Sequence, residues 1–384
     1  MRVERVINIA ELRRLALRRL PRLLGDWVEG GAEDEQAVRR NLEQFRRFRL
    51  VPRYLVDVSA AATTTVLFGR TYGCPFGIAP TGYPGLFRPG GDLLLARAAA
   101  AANVPFIMSG AATATVEDVA RAAPDHGWFQ LYAARDEAIN RDLVARAAAA
   151  GLAALVVTVD VPAEPKRERD LRNGFAMPFV LTPRIVADGL MHPAWTARYF
   201  RAGGLPVMAN WAPYAPKGAG AEAVALFATT QFHATLTWRD IERIRAAWPR
   251  TLVVKGILAA DDARRAQAAG VDGIIVSNHG GRQGDRLPAP LEVLPAILDA
   301  APGLTVMMDG GVRRGADIVT ALGLGARFVF VGRATLFGLT VAGQAGVARA
   351  IAILRDEMLI TLRQLGRPTI EGLTWDVILD TGIP

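Results

Sequence analysis

Cysteine, lysine and histidine are scarce in this 384-residue chain, at one, three and four residues. Cys74 has no second cysteine to pair with, so an internal disulfide is excluded and a reducing compartment, the cytoplasm, is expected. No Cys/His cluster has zinc-ligand spacing, and no metal is expected. No run of 18 apolar residues escapes interruption, which argues against a bilayer-spanning helix. Met1 to Ala10 lacks the continuous apolar stretch of a secretory signal, so secretion is not expected. Attachment to a membrane surface stays open.

Acidic residues are outnumbered, 37 against 45 basic, for a formal charge of +8. All but Lys166, Lys217 and Lys255 of the basic residues are arginines scattered along the chain. No nucleic-acid-binding motif or aromatic platform accompanies them, so nucleic acid is not an expected partner. With 51% hydrophobic and 21% charged residues, a full core is affordable and disorder is excluded.

Eight short apolar runs stop at polar residues or glycine: Pro75 to Pro80, Val104 to Met108, Trp128 to Tyr132, Ala154 to Asp160, Leu252 to Lys255, Gly273 to Ser277, Thr305 to Asp309 and Phe328 to Gly332. Apolar runs without alternation suit strands buried on both faces, as in a parallel sheet. Helical segments separate them, among them Asp92 to Ala102, Thr115 to Ala123, Arg135 to Ala150, Ala260 to Ala269, Pro290 to Ala301 and Gly315 to Leu324. The expected fold is α/β, a (β/α)8 TIM barrel, with a doubly wound open sheet as the alternative. A single domain over residues 1–384 is expected, with a helical N-terminal segment at 1–70 and a long insertion after the fourth strand, between residues 161 and 250.

Barrel active sites form at the carboxyl ends of the strands. In order, those ends supply Thr81, Ser109, Gln130 with Tyr132, Thr158 with Asp160, Lys255, Ser277 with His279 and Arg282, Asp309, and Gly332 with Arg333. Gly310, Gly311 and Arg313 follow strand seven. Glycines that expose backbone amides, next to arginines after strands seven and eight, point to a bound phosphate. His279, three residues before Arg282 and on the same rim as Asp160, fits a general base acting on a carboxylate-bearing substrate.

Several motifs converge at these positions: Leu20-Pro21, Gly30-Gly31-Ala32-Glu33-Asp34, Ala79-Pro80-Thr81-Gly82, Phe129-Gln130-Leu131-Tyr132, Arg167-Glu168-Arg169-Asp170 and Val254-Lys255-Gly256. SNHGGRQ at Ser277 to Gln283, DGGVRRG at Asp309 to Gly315 and Val331-Gly332-Arg333 complete the set. Together they resemble the FMN-dependent 2-hydroxy acid dehydrogenase/oxidase family over nearly the whole chain. The resemblance implies that Pro80, Thr81, Gly82, Ser109, Gln130, Tyr132, Thr158, Lys255, Ser277 and Asp309 surround the FMN ring and ribityl chain. Its phosphate would rest on Gly310, Gly311, Arg313, Gly332 and Arg333. Arg167 and Arg282 would clamp the substrate carboxylate, Tyr132 would hydrogen-bond the substrate, His279 would take a proton and Asp160 would stabilise the imidazolium. Lys255 would offset negative charge on the reduced ring.

Two departures bear on substrate. Trp27 stands where relatives carry a substrate-contacting tyrosine, and Ala111 stands where members acting on glycolate carry a tryptophan. The larger pocket implies an aryl (S)-2-hydroxy acid such as mandelate, oxidised to the 2-keto acid. The stretch from about 177 to 217 resembles the membrane-docking segment of mandelate-oxidising members. Its Trp195, Tyr199, Trp211 and Tyr214 suit a headgroup interface, and its four cations face only Asp188. An ordinary mobile lid is the alternative reading of this stretch. Docking implies a peripheral site on the cytoplasmic side of the inner membrane and a quinone acceptor; the resemblance also implies a homotetramer. The alternatives are a soluble oxidase that makes hydrogen peroxide, an L-lactate dehydrogenase, a flavin-dependent isomerase and a flavoprotein without catalysis.

Overall fold

A computed structural model of the protein describes residues 2–175, 182–231 and 235–382. Eight parallel strands close into a barrel: β1 (Phe76–Ile78), β2 (Phe106–Met108), β3 (Gly127–Leu131), β4 (Ala154–Thr158), β5 (Thr251–Ile257), β6 (Gly273–Val276), β7 (Thr305–Asp309) and β8 (Phe328–Val331). Each strand pairs with the next, and β8 pairs with β1. All eight expected runs are strands. They are buried because helices cover the outer face while large side chains fill the inside, so neither face meets water.

Inside the lower half of the barrel, Ile107, Trp128, Val156, Val253, Ile275, Met307, Phe328 and Phe330 pack together, and Leu67 and Tyr72 reach them from below. Those two belong to a hairpin of Thr65–Leu67 and Arg70–Tyr72. Its turn residues Phe68 and Gly69 both have positive φ, which matches the twist of a two-residue hairpin. The expectation of helix from 1 to 70 is thus corrected. Helices cover Ile9–Leu17, Arg22–Glu29 and Gln36–Glu43, but Phe48–Leu50 is extended against Ile378–Asp380 and the chain then forms the hairpin that plugs the barrel floor. The β-branched run from Thr63 to Val66 favours strand over helix there.

Between β4 and β5 the insertion is largely helical, with helices at Glu168–Asn173, Pro183–Met191, Pro193–Arg201, Ala221–Gln231 and Trp238–Ala247. Residues 177–181 of the expected docking stretch lie outside the described residues. The aromatic side chains of this stretch do not line an outer face as expected. Trp211 and Tyr199 are buried; Trp195 Nε1 donates to Leu86 O at 2.9 Å, Trp211 Nε1 to Gly110 O at 2.9 Å, and the Tyr199 hydroxyl to Gly85 O. Tyr214 bonds Asp142. Carbonyls of the single-turn helix Pro84–Phe87 and of the loop at Gly110 need donors, and an amphipathic ring supplies one while burying its apolar body. The exposed apolar residues are instead Val186, Leu190, Met191, Phe200 and Leu205. Among the described residues, no helix is long and apolar enough to cross a membrane.

Candidate active site

Parallel register places the polar strand ends on one rim. Thr158 of β4 pairs with Lys255 of β5, and a bulge follows between Lys255 and Ile257. Gly256 sits in that bulge at φ +106°, where a Cβ would come within 2.6 Å of the Asp160 Cβ. Glycine is required there because Asp160 occupies the space a side chain would take.

The chain turns sharply after β6. His279 adopts φ +57°, a left-handed conformation that costs a non-glycine residue about 1–2 kcal/mol, although histidine enters it more readily than most. Its amide donates to Ser277 Oγ at 3.0 Å and its Nδ1 lies 2.8 Å from Asp160 Oδ1. With Nδ1–H donated to the carboxylate, the Nε2 lone pair faces the Tyr132 hydroxyl at 3.4 Å. Burial pushes the imidazole pKa down and outweighs the opposing pull of Asp160, with smaller help from the repulsion of Lys255 and Arg167. The ring is therefore neutral near pH 7, while 19% of its side chain stays accessible. That combination suits a base waiting for substrate. Burial pushes the Asp160 carboxyl up, but His279 and Lys255 together hold it below its ordinary value. Burial and Asp160 raise the Tyr132 phenol to about 12, so it remains protonated and able to donate.

A second chain of bonds runs across the rim. Lys255 Nζ donates to Ser277 Oγ at 2.9 Å and lies 3.4 Å from Asp309, whose Oδ1 accepts from Ser277 Oγ at 2.6 Å. Burial opposes the ammonium charge, yet Asp309, Asp160 and Tyr132 raise the Lys255 pKa above its ordinary value. Gln130 accepts from Ser109 Oγ and from Gly110 N, while its Nε2 and the hydroxyl of Thr158 are buried with no partner. Unpaired buried donors cost about 1–3 kcal/mol each, and here they sit on the same rim as Lys255 and Asp309. They fit a polar heterocycle with hydroxyls along its tail, which is the donor and acceptor set FMN requires. Gly310 and Gly311 have φ of +99° and +82°. Behind them, burial and then repulsion from Arg333 press the Arg313 guanidinium down to about 10. A cation held so unfavourably suits an anion, so the phosphate end fits as well.

The arginines are used differently from one another. Arg333 donates to Val28 O, Gly280 O and Gly30 O at 2.7 to 2.9 Å, clasping the N-terminal segment onto the His279 turn. Arg282 donates Nη1 to Trp27 O and Gly30 O, and its guanidinium lies 4.7 Å above the Trp27 ring. Its Nη2 is buried without a hydrogen bond, 3.9 Å from Asp170. Burial, then repulsion from Arg167 and Arg333, lowers the Arg282 pKa well below its ordinary value. Arg167, lowered chiefly by burial, bonds Arg282 O and Gln283 Oε1. Trp27 thus presents the face of its ring to the Arg282 guanidinium. Thr81 and Gly82 line the rim beside Gly332 and Ala111 respectively, and Pro80 precedes them after β1.

Sequence reasoning missed a lock beneath this site. Asn41 and Asn278 exchange amide hydrogen bonds at 2.7 and 2.8 Å, both fully buried. Asn278 also accepts from Gly281 N, and Asp285 accepts from Ala37 N at 3.0 Å. Asn278 lay inside a motif already singled out; nothing local marks Asn41.

A family model for FMN-dependent dehydrogenases matches residues 16–380. The chain is 40% identical to (S)-mandelate dehydrogenase of Pseudomonas putida over 380 residues, 99% of this chain and 95% of that protein. It is 42% identical to a putative L-lactate dehydrogenase of Mycobacterium tuberculosis over 375 residues, 97% of this chain and 89% of that one. The crystal structure of the monotopic membrane protein (S)-mandelate dehydrogenase superposes with a TM-score of 0.95 at 40% identity, covering 98% of this chain and all of the other. By these matches the chain belongs to the FMN-dependent dehydrogenases and is an oxidoreductase of 2-hydroxy acids.

Proposed function

We propose that this protein oxidises an aryl (S)-2-hydroxy acid such as mandelate to its 2-keto acid and passes the electrons to a membrane quinone. The observation that carries the reading is the neutral His279, oriented by Asp160 and aimed at Tyr132, three residues before Arg282, whose buried Nη2 makes no hydrogen bond. Ala111 in place of a bulky side chain leaves room for a ring.

When bound, FMN supplies the two-electron acceptor. Pro80 to Gly82, Ser109, Gln130, Thr158, Lys255, Ser277 and Asp309 would hold its ring and ribityl chain, and Gly310, Gly311, Arg313 and Gly332 its phosphate. Arg333, spent on carbonyls, supports that site mainly through its charge. Arg282 and Arg167 bind the substrate carboxylate, and the Tyr132 hydroxyl holds the substrate near its alcohol. His279 Nε2 accepts a proton as the alcohol carbon becomes a ketone, and Asp160 stabilises the resulting imidazolium. The substrate loses two electrons and two protons: His279 holds one proton until solvent takes it, and the other leaves together with both electrons to the bound FMN.

The family's redox chemistry displaces the isomerase and non-catalytic readings of the sequence. Exposed Val186, Leu190, Met191, Phe200 and Leu205 on the insertion support peripheral docking at the cytoplasmic face of a membrane. Assembly as a homotetramer is part of the proposal. The test is anaerobic mixing of the FMN-loaded protein with mandelate, lactate and glycolate, then reoxidation by a quinone analogue or by oxygen. Flavin bleaching fastest with mandelate and reoxidation favouring quinone are expected. A preference for lactate points to an L-lactate dehydrogenase, and rapid reoxidation by oxygen with peroxide release to an oxidase.

A further inference from the structure

Arg19 and Arg88 meet at one end of helix Arg333–Ala342, with Arg198 close enough for its charge to reach both, and among the described residues no carboxylate joins them. Arg19, just past helix Ile9–Leu17, donates Nη1 to Val341 O. Arg88 lies over Gly343, the residue that ends the helix, where a Cβ would come within 2.9 Å of Arg88 Nε. Arg198 stands three residues after Trp195 on helix Pro193–Arg201, so the two share a face. That face is held against the short helix Pro84–Phe87 just before Arg88, because Trp195 bonds Leu86 O and Tyr199 bonds Gly85 O.

The charges register one another. Burial and then Arg198 lower the pKa of Arg19; burial, Arg198 and Arg19 lower that of Arg88. No acid raises either of them. This contrasts with other arginines of the same surface, such as Arg13 on Glu29 or Arg314 on Glu357. The carbonyl end of a helix accounts for a cation or two, and so for Arg19 and Arg88. It does not account for Arg198, which reaches neither carbonyl nor carboxylate among the described residues.

We propose that Arg19, Arg88 and Arg198 bind the phosphodiester of an anionic phospholipid headgroup. Half-buried guanidinium groups offer forked donors that match phosphate oxygens. Exposed Leu190, Met191 and Phe200 on the same pair of helices give the acyl region something to meet, which a free phosphate would not need. The inference rests on the docking reading above and names the lipid chemistry it requires.

Co-sedimentation of the full-length, FMN-loaded protein with vesicles tests it, using phosphatidylcholine alone and a three-to-one mixture with phosphatidylglycerol. The pair Arg88→Gln with Arg198→Gln should weaken binding to the mixed vesicles by more than the factor of about 30, roughly fivefold per cation, that a diffuse surface field gives, and leave binding to phosphatidylcholine unchanged. Arg184→Gln with Arg201→Gln removes the same charge from exposed positions and should cost clearly less. Equal losses in the two pairs would mean a diffuse field and overturn the site. Arg198→Gln alone breaks no hydrogen bond among the described residues; its flavin absorbance should be native and its loss more than about fivefold.

Inorganic phosphate added at constant ionic strength should not displace the wild type. Displacement that depends on Arg88 and Arg198 would assign the arginines to soluble phosphate and refute the lipid. If the wild type binds both vesicles equally, docking stands and the headgroup site falls. If it binds neither, while retaining FMN, the docking reading fails and takes the site with it.

Discussion

Replacing Asp160 by asparagine separates the orienting role of this residue from its charge. The amide keeps an oxygen that accepts from His279 Nδ1, so the ring stays in place. What is lost is the anion 2.8 Å from Nδ1 in a pair whose side chains are 8% and 19% exposed. At an effective dielectric near 20 and about 4 Å between charge centres, a carboxylate stabilises an imidazolium by about 4 kcal/mol. His279 carries that positive charge only as it takes the substrate proton, so the full amount falls on the barrier and flavin reduction slows about a thousandfold. The pH dependence has a definite sign. Burial already holds the His279 pKa below its ordinary value, with Asp160 pulling upward against it. The base is competent above that pKa and is lost as pH falls through it. Removing Asp160 lowers the pKa further, so the acid limb of kcat/KM moves to lower pH while its plateau drops. Anaerobic stopped-flow bleaching of the flavin across a pH series measures both. A rate within tenfold of wild type, or an acid limb that moves upward, refutes the assignment of Asp160 as the partner of the base.

Arg282→Met removes the unpaired Nη2 and the bonds to Trp27 O and Gly30 O; kcat/KM for mandelate should fall by an amount equivalent to about 2–5 kcal/mol, and unchanged steady-state kinetics would remove it from the carboxylate clamp. Ala111→Trp should lower kcat/KM for mandelate by at least about tenfold and spare lactate, as a comparison of the two substrates would reveal. Gly311→Ala places a Cβ 1.7 Å from Asn41 O at φ +82°. Thermal unfolding with and without FMN should show a destabilisation of several kcal/mol and a smaller shift on adding the flavin; a native melting curve would mean the loop relaxes freely.

Most of the barrel was legible because burial on both faces leaves an unbroken apolar run at each strand, and those runs end on the very rim where Thr158, Lys255, Ser277 and Asp309 meet. Cross-chain economy was not legible. That Arg333 spends its donors on Val28, Gly30 and Gly280 follows from how the N-terminal segment folds back, which no local pattern encodes. The same is true of Asn41, an unremarked polar residue on a charged helix until Asn278 arrives opposite it. The insertion aromatics were misplaced because amphipathic rings suit a lipid interface and a carbonyl-lined cleft equally well; only the neighbouring loops decide. The floor hairpin was absorbed into a helical region because two three-residue strands are too short to declare a period.

The reciprocal amides of Asn41 and Asn278 join positions 237 residues apart. Ribosomal synthesis therefore delivers the first half of this clasp long before the second, and the amino-terminal helices must wait, undocked, while most of the cylinder is made. Chemistry arrives last: a nascent or trimmed chain that closes its staves without those helices would keep the scaffold and lack the strained turn that aims the imidazole. Competence to react with a hydroxy acid is thus postponed until the segment that follows the sixth stave has been made and has met Asn41.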